Sequence, residues 1–192
     1  MKGPTLMRKT QLWRLCLVAL LAGCAAGRRY QDKSMDFAAV RTVAVMPFQN
    51  LSPVNTAGER VRDVFSNLLL STGAIYVLPS GEVGHAIVKT GLTNPTAPSK
   101  EEVLALGKLL AADAVVTGVL REYGEVRSGN ASANAISLSV EMIETATGKV
   151  VWAASTTQGG VGFWDRLLGG GGEPMNKVTE DAVRDLLKQL FR

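Results

Sequence analysis

Apolar and polar positions along this chain follow two periods, and the points where one gives way to the other mark its elements. Residues 42–48 are a run of Val43, Ala44, Val45, Met46 and Phe48 with little alternation, which predicts a strand buried on both faces. Pro47 ends its pairing. Residues 50–55 carry turn chemistry in Asn50, Ser52, Pro53 and Asn55. The period then becomes helical: Val61, Val64, Phe65, Leu68 and Leu69 share one face behind a Thr56/Glu59 capping box. Gly73 sits where a left-handed helix end is wanted. Ile75, Tyr76, Val77 and Leu78 make a second strand, and a short helix capped by Ser80 runs to about Lys89 before Gly91.

After a loop over 92–98, Ser99 and Glu102 form a second capping box, with Val103, Leu106, Leu109 and Leu110 on its buried face. A third strand begins at Ala114 and runs to about Val126, followed by a turn over 128–134. Ile136, Leu138, Val140 and Met142 alternate with Ser137, Ser139 and Glu141, which predicts a half-buried strand. A tight turn at 145–148 leads into a strand over 150–157, a hairpin pattern. A Gly-rich loop spans 159–174, and a closing helix from about Asn176 carries Val178, Ala182, Val183, Leu186 and Leu190 as its stripe. The order β-α-β-α-α-β-β-β-α predicts an α/β layered domain, a mixed sheet covered by helices.

The first residues obey neither period. Lys2, Arg8, Lys9 and Arg14 precede a short apolar run over 15–22, about half of the ~20 residues that a spanning helix needs. Leu21, Ala22 and Gly23 then lead to Cys24. This order resembles the lipobox read by the lipoprotein signal peptidase. The resemblance implies cleavage before Cys24, a diacylglyceryl group on its sulfur and an N-acyl chain on its new amino group. The expected organisation is a signal peptide over 1–23, a lipidated tether over 24–39 and a single periplasmic α/β domain over 40–192. An ordered arm packed on a neighbouring subunit is the alternative for the tether.

Cleavage changes the charge balance. The chain has 21 Lys and Arg against 17 Asp and Glu, and four of the cations lie in the signal. The mature chain is therefore electrically balanced, which removes the electrostatic case for nucleic acid as a partner. Cys16 leaves with the signal and Cys24 is lipidated, so no thiol remains for a disulfide, a metal or nucleophilic attack.

Candidate chemistry is correspondingly thin. His85 is the one histidine, and it lies in a surface helical pattern. No zinc set, no Cys/His pair and no nucleophile-elbow serine can be assembled. The glycines at 81, 84 and 169–172 lack the spacing of a phosphate loop. The expectation is no catalytic residue, no metal, no cofactor beyond the lipid on Cys24, and no small-molecule substrate. One cluster calls for a role: Phe163, Trp164, Arg166, Leu167 and Leu168 concentrate large side chains between glycines. They either fold back on the core or form a contact surface, at a subunit interface or the membrane.

Several motifs resemble the curli secretion-channel lipoprotein (CsgG-like) family. They are Val43-Ala44-Val45-Met46-Pro47-Phe48, Gly58-Glu59, the stretch from Leu106 through Ala112-Asp113-Ala114-Val115-Val116-Thr117-Gly118, Tyr123-Gly124, Thr147-Gly148-Lys149-Val150-Val151-Trp152, and 163–168 with Glu173-Pro174. The first and third also resemble penicillin-binding-protein activator (LpoB-like) lipoproteins and TolB N-terminal domains. The resemblance implies a protein partner or homo-oligomer, a lipid anchor and a periplasmic face. Ala25 after Cys24 implies the outer membrane, where Asp would signal inner-membrane retention. The channel family builds a barrel from two hairpins per subunit, roughly 40 residues of spanning strand. Here Arg121, Glu122, Glu125 and Arg127 put charge on both faces of the strand that would contribute. The expected function is therefore a non-enzymatic scaffold or accessory in envelope assembly or secretion, without full transmembrane hairpins. A synthase regulator and a ring-forming channel subunit are the alternatives.

Overall fold

The computed structural model describes residues 29–161 and 172–192. Their elements are β1 (Arg29–Gln31), a 3-10 turn (Phe37–Ala39), β2 (Thr42–Val45), β3 (Gln49–Asn50), α1 (Ala57–Ser71), β4 (Tyr76–Val77), α2 (Ser80–Thr90), α3 (Lys100–Leu110), β5 (Ala114–Ser128), β6 (Ala131–Glu144), β7 (Val150–Gly159) and α4 (Met175–Leu190). The strands form one mixed sheet in the order β1-β7-β6-β5-β2-β4, with β3 also paired to β5. The expected α/β layered class is what is found.

The run at 42–48 is buried on both faces because two cores meet there. Val43 and Val45 join the core beneath α1 and α4, and Ala44 and Met46 join the core beneath α2 and α3. Pairing to β5 stops after Val45 and resumes at Gln49 opposite Val119. Pro47 thus interrupts the pairing rather than ending it. Phe48 occupies the gap, and a Cβ on Gly118 would stand 2.7 Å from its ring.

The two helical layers are unequal. α1 and α4 cover β5, β6 and β7 on one side, burying Leu138, Val140, Met142 and Trp152. α2 and α3 cover mainly β2 and the start of β5. Thr117, Ser137, Ser139 and Ser155 are therefore half-buried, and Glu141 and Thr157 are exposed. Leu, Val and Met point one way along β6 and Ser and Glu the other, as the alternation predicts.

The structure revises four local expectations. Thr56 makes no side-chain cap: its backbone is already helical (φ −88, ψ 0), so its hydroxyl does not reach the first free N–H groups. Ser80 is the first helical residue of α2, whose N-cap is Pro79. Only Gly129 and Asn130 separate β5 from β6, where a turn over 128–134 was expected. Within the segment expected as a tether, Arg29–Gln31 pair antiparallel with β7, Arg29 opposite Ala154 and Gln31 opposite Trp152. The Ser99/Glu102 box forms as expected, with both reciprocal hydrogen bonds present.

Two helical glycines make opposite predictions. A Cβ on Gly84 meets nothing within 4 Å, whereas one on Gly107 would lie 2.2 Å from Thr145 Cβ. Gly84→Ala should stabilise the domain by roughly 0.5–1 kcal/mol, by limiting the freedom of the unfolded chain. Gly107→Ala should destabilise it by more than about 1 kcal/mol, because α3 must lift from the β6–β7 turn. Urea unfolding of the two variants measures both signs.

Candidate interaction surfaces

The lipidation residue Cys24, its recognition residues Leu21, Ala22 and Gly23, and the cluster Phe163, Trp164, Arg166, Leu167 and Leu168 lie outside the described residues. What the structure supplies is the frame on either side of them. β1 leads away from the Cys24 side along β7, and β7 ends at Gly159. Gly160 N–H donates to Asn134 O at 2.9 Å. Asn134 Nδ2 donates to Glu173 O at 2.8 Å. One residue of β6 therefore ties down both the exit from β7 and the approach to α4.

Backbone geometry reinforces this junction. Gly159 has φ +79, and a Cβ there would stand 2.1 Å from Asn134 O. A Cβ on Gly172 would lie 2.5 Å from Ala133 Cβ. Glycine is thus needed at both 159 and 172. Asn134 was hidden in the sequence: it looks like turn chemistry, and only the β6–β7 register (Ala135 opposite Gly159) brings it to the junction.

Beyond Asn134, β5 and β6 continue as a two-stranded ribbon. A bulge at Arg121 displaces the register between Leu120 and Glu122, and the Arg121 guanidinium donates to Ser139 Oγ at 2.5 Å. At the ribbon end Glu125 and Arg127 pair at 3.3 Å. The Ser132 hydroxyl, and then Arg127, hold the Glu125 carboxyl below its ordinary range. The opposite end of the molecule differs in character. Phe191, 48% exposed, lies between two grooves of about 360 and 320 Å³, lined in part by Phe37, Val40 and Ile75 and by Leu68 and Leu187. Arg184, Lys188 and Arg192 border them.

The remaining perturbed groups serve the frame. Hydrogen bonds from Ser34 lower Asp32, those from Ser99 lower Glu102, and Asp181 and Glu173 raise Lys177. His85 is exposed on α2. Among the described residues no group of three His, Cys, Asp or Glu side chains could hold a metal. None of their helices is long and apolar enough to cross a membrane.

The sequence pattern of the GNA1162-like lipoprotein family matches residues 32–161. No curated protein matches the chain. Among solved structures, the fold is similar to PelC from Paraburkholderia phytofirmans, described as a dodecamer, with 16% identity, 85% of this chain and 96% of that one covered, and a TM-score of 0.56. It is similar to lipoprotein GNA1162 from Neisseria meningitidis, with 21% identity, 78% and 97% covered, and a TM-score of 0.56. A third likeness is to hypothetical protein CT253 from Chlamydia trachomatis, with 16% identity, 79% and 96% covered, and a TM-score of 0.51. At such identities the likeness is one of fold.

Two measurements test the frame. Asn134→Ala removes the bond to Glu173 and should cost roughly 0.5–1.5 kcal/mol in urea unfolding, with Asn134→Gln recovering little because its amide is displaced by a methylene. Ser99→Ala should let the Glu102 carboxyl titrate closer to its ordinary value, read by NMR. A carboxyl lowered in the folded state adds stability that is full above the unfolded value and lost as pH falls through the folded one. The acid-side loss of stability should therefore be shallower in Ser99→Ala than in the parent.

Proposed function

The chain belongs to the GNA1162-like lipoprotein family, and from that premise we propose that it is a non-enzymatic, lipid-anchored periplasmic accessory or scaffold protein of envelope assembly or secretion. The observation that carries this reading is Leu21-Ala22-Gly23-Cys24 placed just ahead of a domain that begins pairing at Arg29. In this reading Cys24 carries the diacylglyceryl and N-acyl groups, residues 1–23 are removed, and the outer membrane holds the lipid. The architecture is CsgG-like in its motifs, with no barrel hairpin from β5 and β6. That ribbon turns at Gly129-Asn130 and carries Glu122, Glu125 and Arg127, which suit water or lipid headgroups better than hydrocarbon.

Self-association is the second part of the proposal. The PelC structure of similar fold is described as a dodecamer, and the cluster Phe163, Trp164, Arg166, Leu167 and Leu168 supplies aromatic and Arg side chains of the kind enriched at interfaces.

Labelled palmitate should enter the wild-type protein and be lost in Cys24→Ser; equal labelling of both would overturn the anchor. Light scattering on the detergent-extracted protein should give an oligomer that Trp164→Ala weakens by tenfold or more, about 1.4 kcal/mol or above per interface. A strict monomer in both would overturn self-association and favour a regulator that meets its synthase as a single subunit.

A further inference from the structure

The anchor and the sheet together fix which end of the domain meets the membrane. Taking Cys24 as lipidated, as proposed above, five residue steps separate it from Arg29, and they span at most ~18 Å however they run. Arg29 is opposite Ala154, and Ala154 is opposite Val140. In going from Gln31 to Arg29, β1 points toward the Gly159 end of β7, which is also the ribbon end of β5 and β6. From Val140 to Ala131, the last paired residue of β6, the sheet extends ~30 Å in that direction. The ribbon is therefore longer than the tether can reach.

We infer that the tip of the β5–β6 ribbon, residues 127–132, rests in the phosphate-bearing headgroup layer of the membrane that holds the Cys24 lipid. If the strands stood along the bilayer normal, the last four pairs, 125–128 with 131–134, would sink below the acyl boundary. Glu125, Arg127 and Asn134 lie there, and hydrocarbon excludes them. The strands must instead incline by more than ~50° from the normal, which brings the tip to the polar layer. The tip's composition fits that depth. The Arg127 side chain is 79% exposed, Ser128 and Asn130 offer hydrogen-bond donors for phosphate oxygens, and Val126, just before the tip, is the one sizeable aliphatic. Phe191 and its grooves then face away from the bilayer, toward the periplasm.

The cysteine content makes a direct test simple. Cys16 is removed and the thiol of Cys24 is occupied by lipid, so an introduced cysteine is the one reactive thiol of the mature protein. Full-length Asn130→Cys, Arg127→Cys and Ala146→Cys are expressed, extracted with their lipid, labelled with an environment-sensitive fluorophore and placed in phosphatidylethanolamine/phosphatidylglycerol vesicles. A share of the lipid carries a headgroup nitroxide. Ala146 is exposed in the turn at the opposite end of the same strands. Quenching should be several-fold stronger at 127 and 130 than at 146. Equal quenching, or stronger quenching at 146, overturns the inference. Labelled palmitate is counted on the same samples. Acylated protein with an unquenched tip sinks this orientation alone, whereas unacylated protein sinks the anchor and the orientation with it.

Discussion

Phe48 lies against the bare backbone of Gly118, and the sheet is arranged around that contact. The chain leaves β5 after Met46, whose N–H still donates to Val116 O, passes through Pro47, and returns at Gln49 with the aromatic ring filling the space between. The ring meets Phe65 of α1 edge-on, with centroids 5.8 Å apart. A side chain on Gly118 would push the ring away and lift α1 from the sheet. Gly58 serves the same approach from the helix side, since its Cβ would stand 3.0 Å from Phe48 O and 3.1 Å from Asn50 Cβ. Asn50 then closes the turn, its Nδ2 donating to Val54 O and Asn55 O and its Oδ1 accepting from Ser52. One aromatic ring, two glycines and one amide thus set the height of α1 above the sheet.

Most of the layered fold was legible in the sequence because bulk and period agreed. Val61, Phe65 and Leu69 on α1 and Val178, Ala182, Val183 and Leu186 on α4 are buried as their spacing predicts. Legibility failed where bulk was missing. Ala131, Ala133 and Ala135 are buried and alternate with Ser132 and Asn134, so the strand period continues through residues too small to stand out beside turn formers. β1 escaped notice for a related reason: three residues paired to an edge need only backbone, and Arg29, Tyr30 and Gln31 carry no apolar alternation. The two capping boxes show a third limit. Thr56/Glu59 and Ser99/Glu102 share a spacing, but Ser99 has an extended backbone and Thr56 continues the preceding turn, with Ala57 N–H bonded to Val54 O. Spacing does not record the ψ angle that decides which hydroxyl reaches a free N–H.

The motifs that carried the family resemblance have mainly packing roles in the structure. Asp113 accepts from the N–H groups of Arg41 and Thr42, which fastens the start of β2 beside β5. Gly107 lets α3 settle on Thr145, whose hydroxyl donates to Ala112 O and Asp113 O. Gly148 turns with φ +68 where a side chain would strike Lys100 and Leu104, and Trp152 is fully buried in the core under α4. These residues identify a fold shared by envelope lipoproteins without naming what any of them binds.

Specific function must then depend on what the common frame holds out. The frame places three features at one end of the sheet: the direction from which the chain reaches Arg29, the Asn134 junction to Gly160 and Glu173, and the charged ribbon tip. At the other end it leaves Phe191 and its apolar grooves with a basic border. A short anchor at Cys24, as proposed, would make these ends unequal. If Cys24 is lipidated as proposed, a domain tied within ~18 Å of a bilayer cannot turn freely, so each surface is committed either to the membrane side or to the periplasm. A long tether would leave every face available to a distant partner. A short one would favour contacts between neighbouring anchored copies, because confinement near one surface raises the effective concentration of like-oriented domains without any new contact. With Cys24 lipidated, the four residues between it and Arg29 therefore restrict what the packing beyond them can be used for.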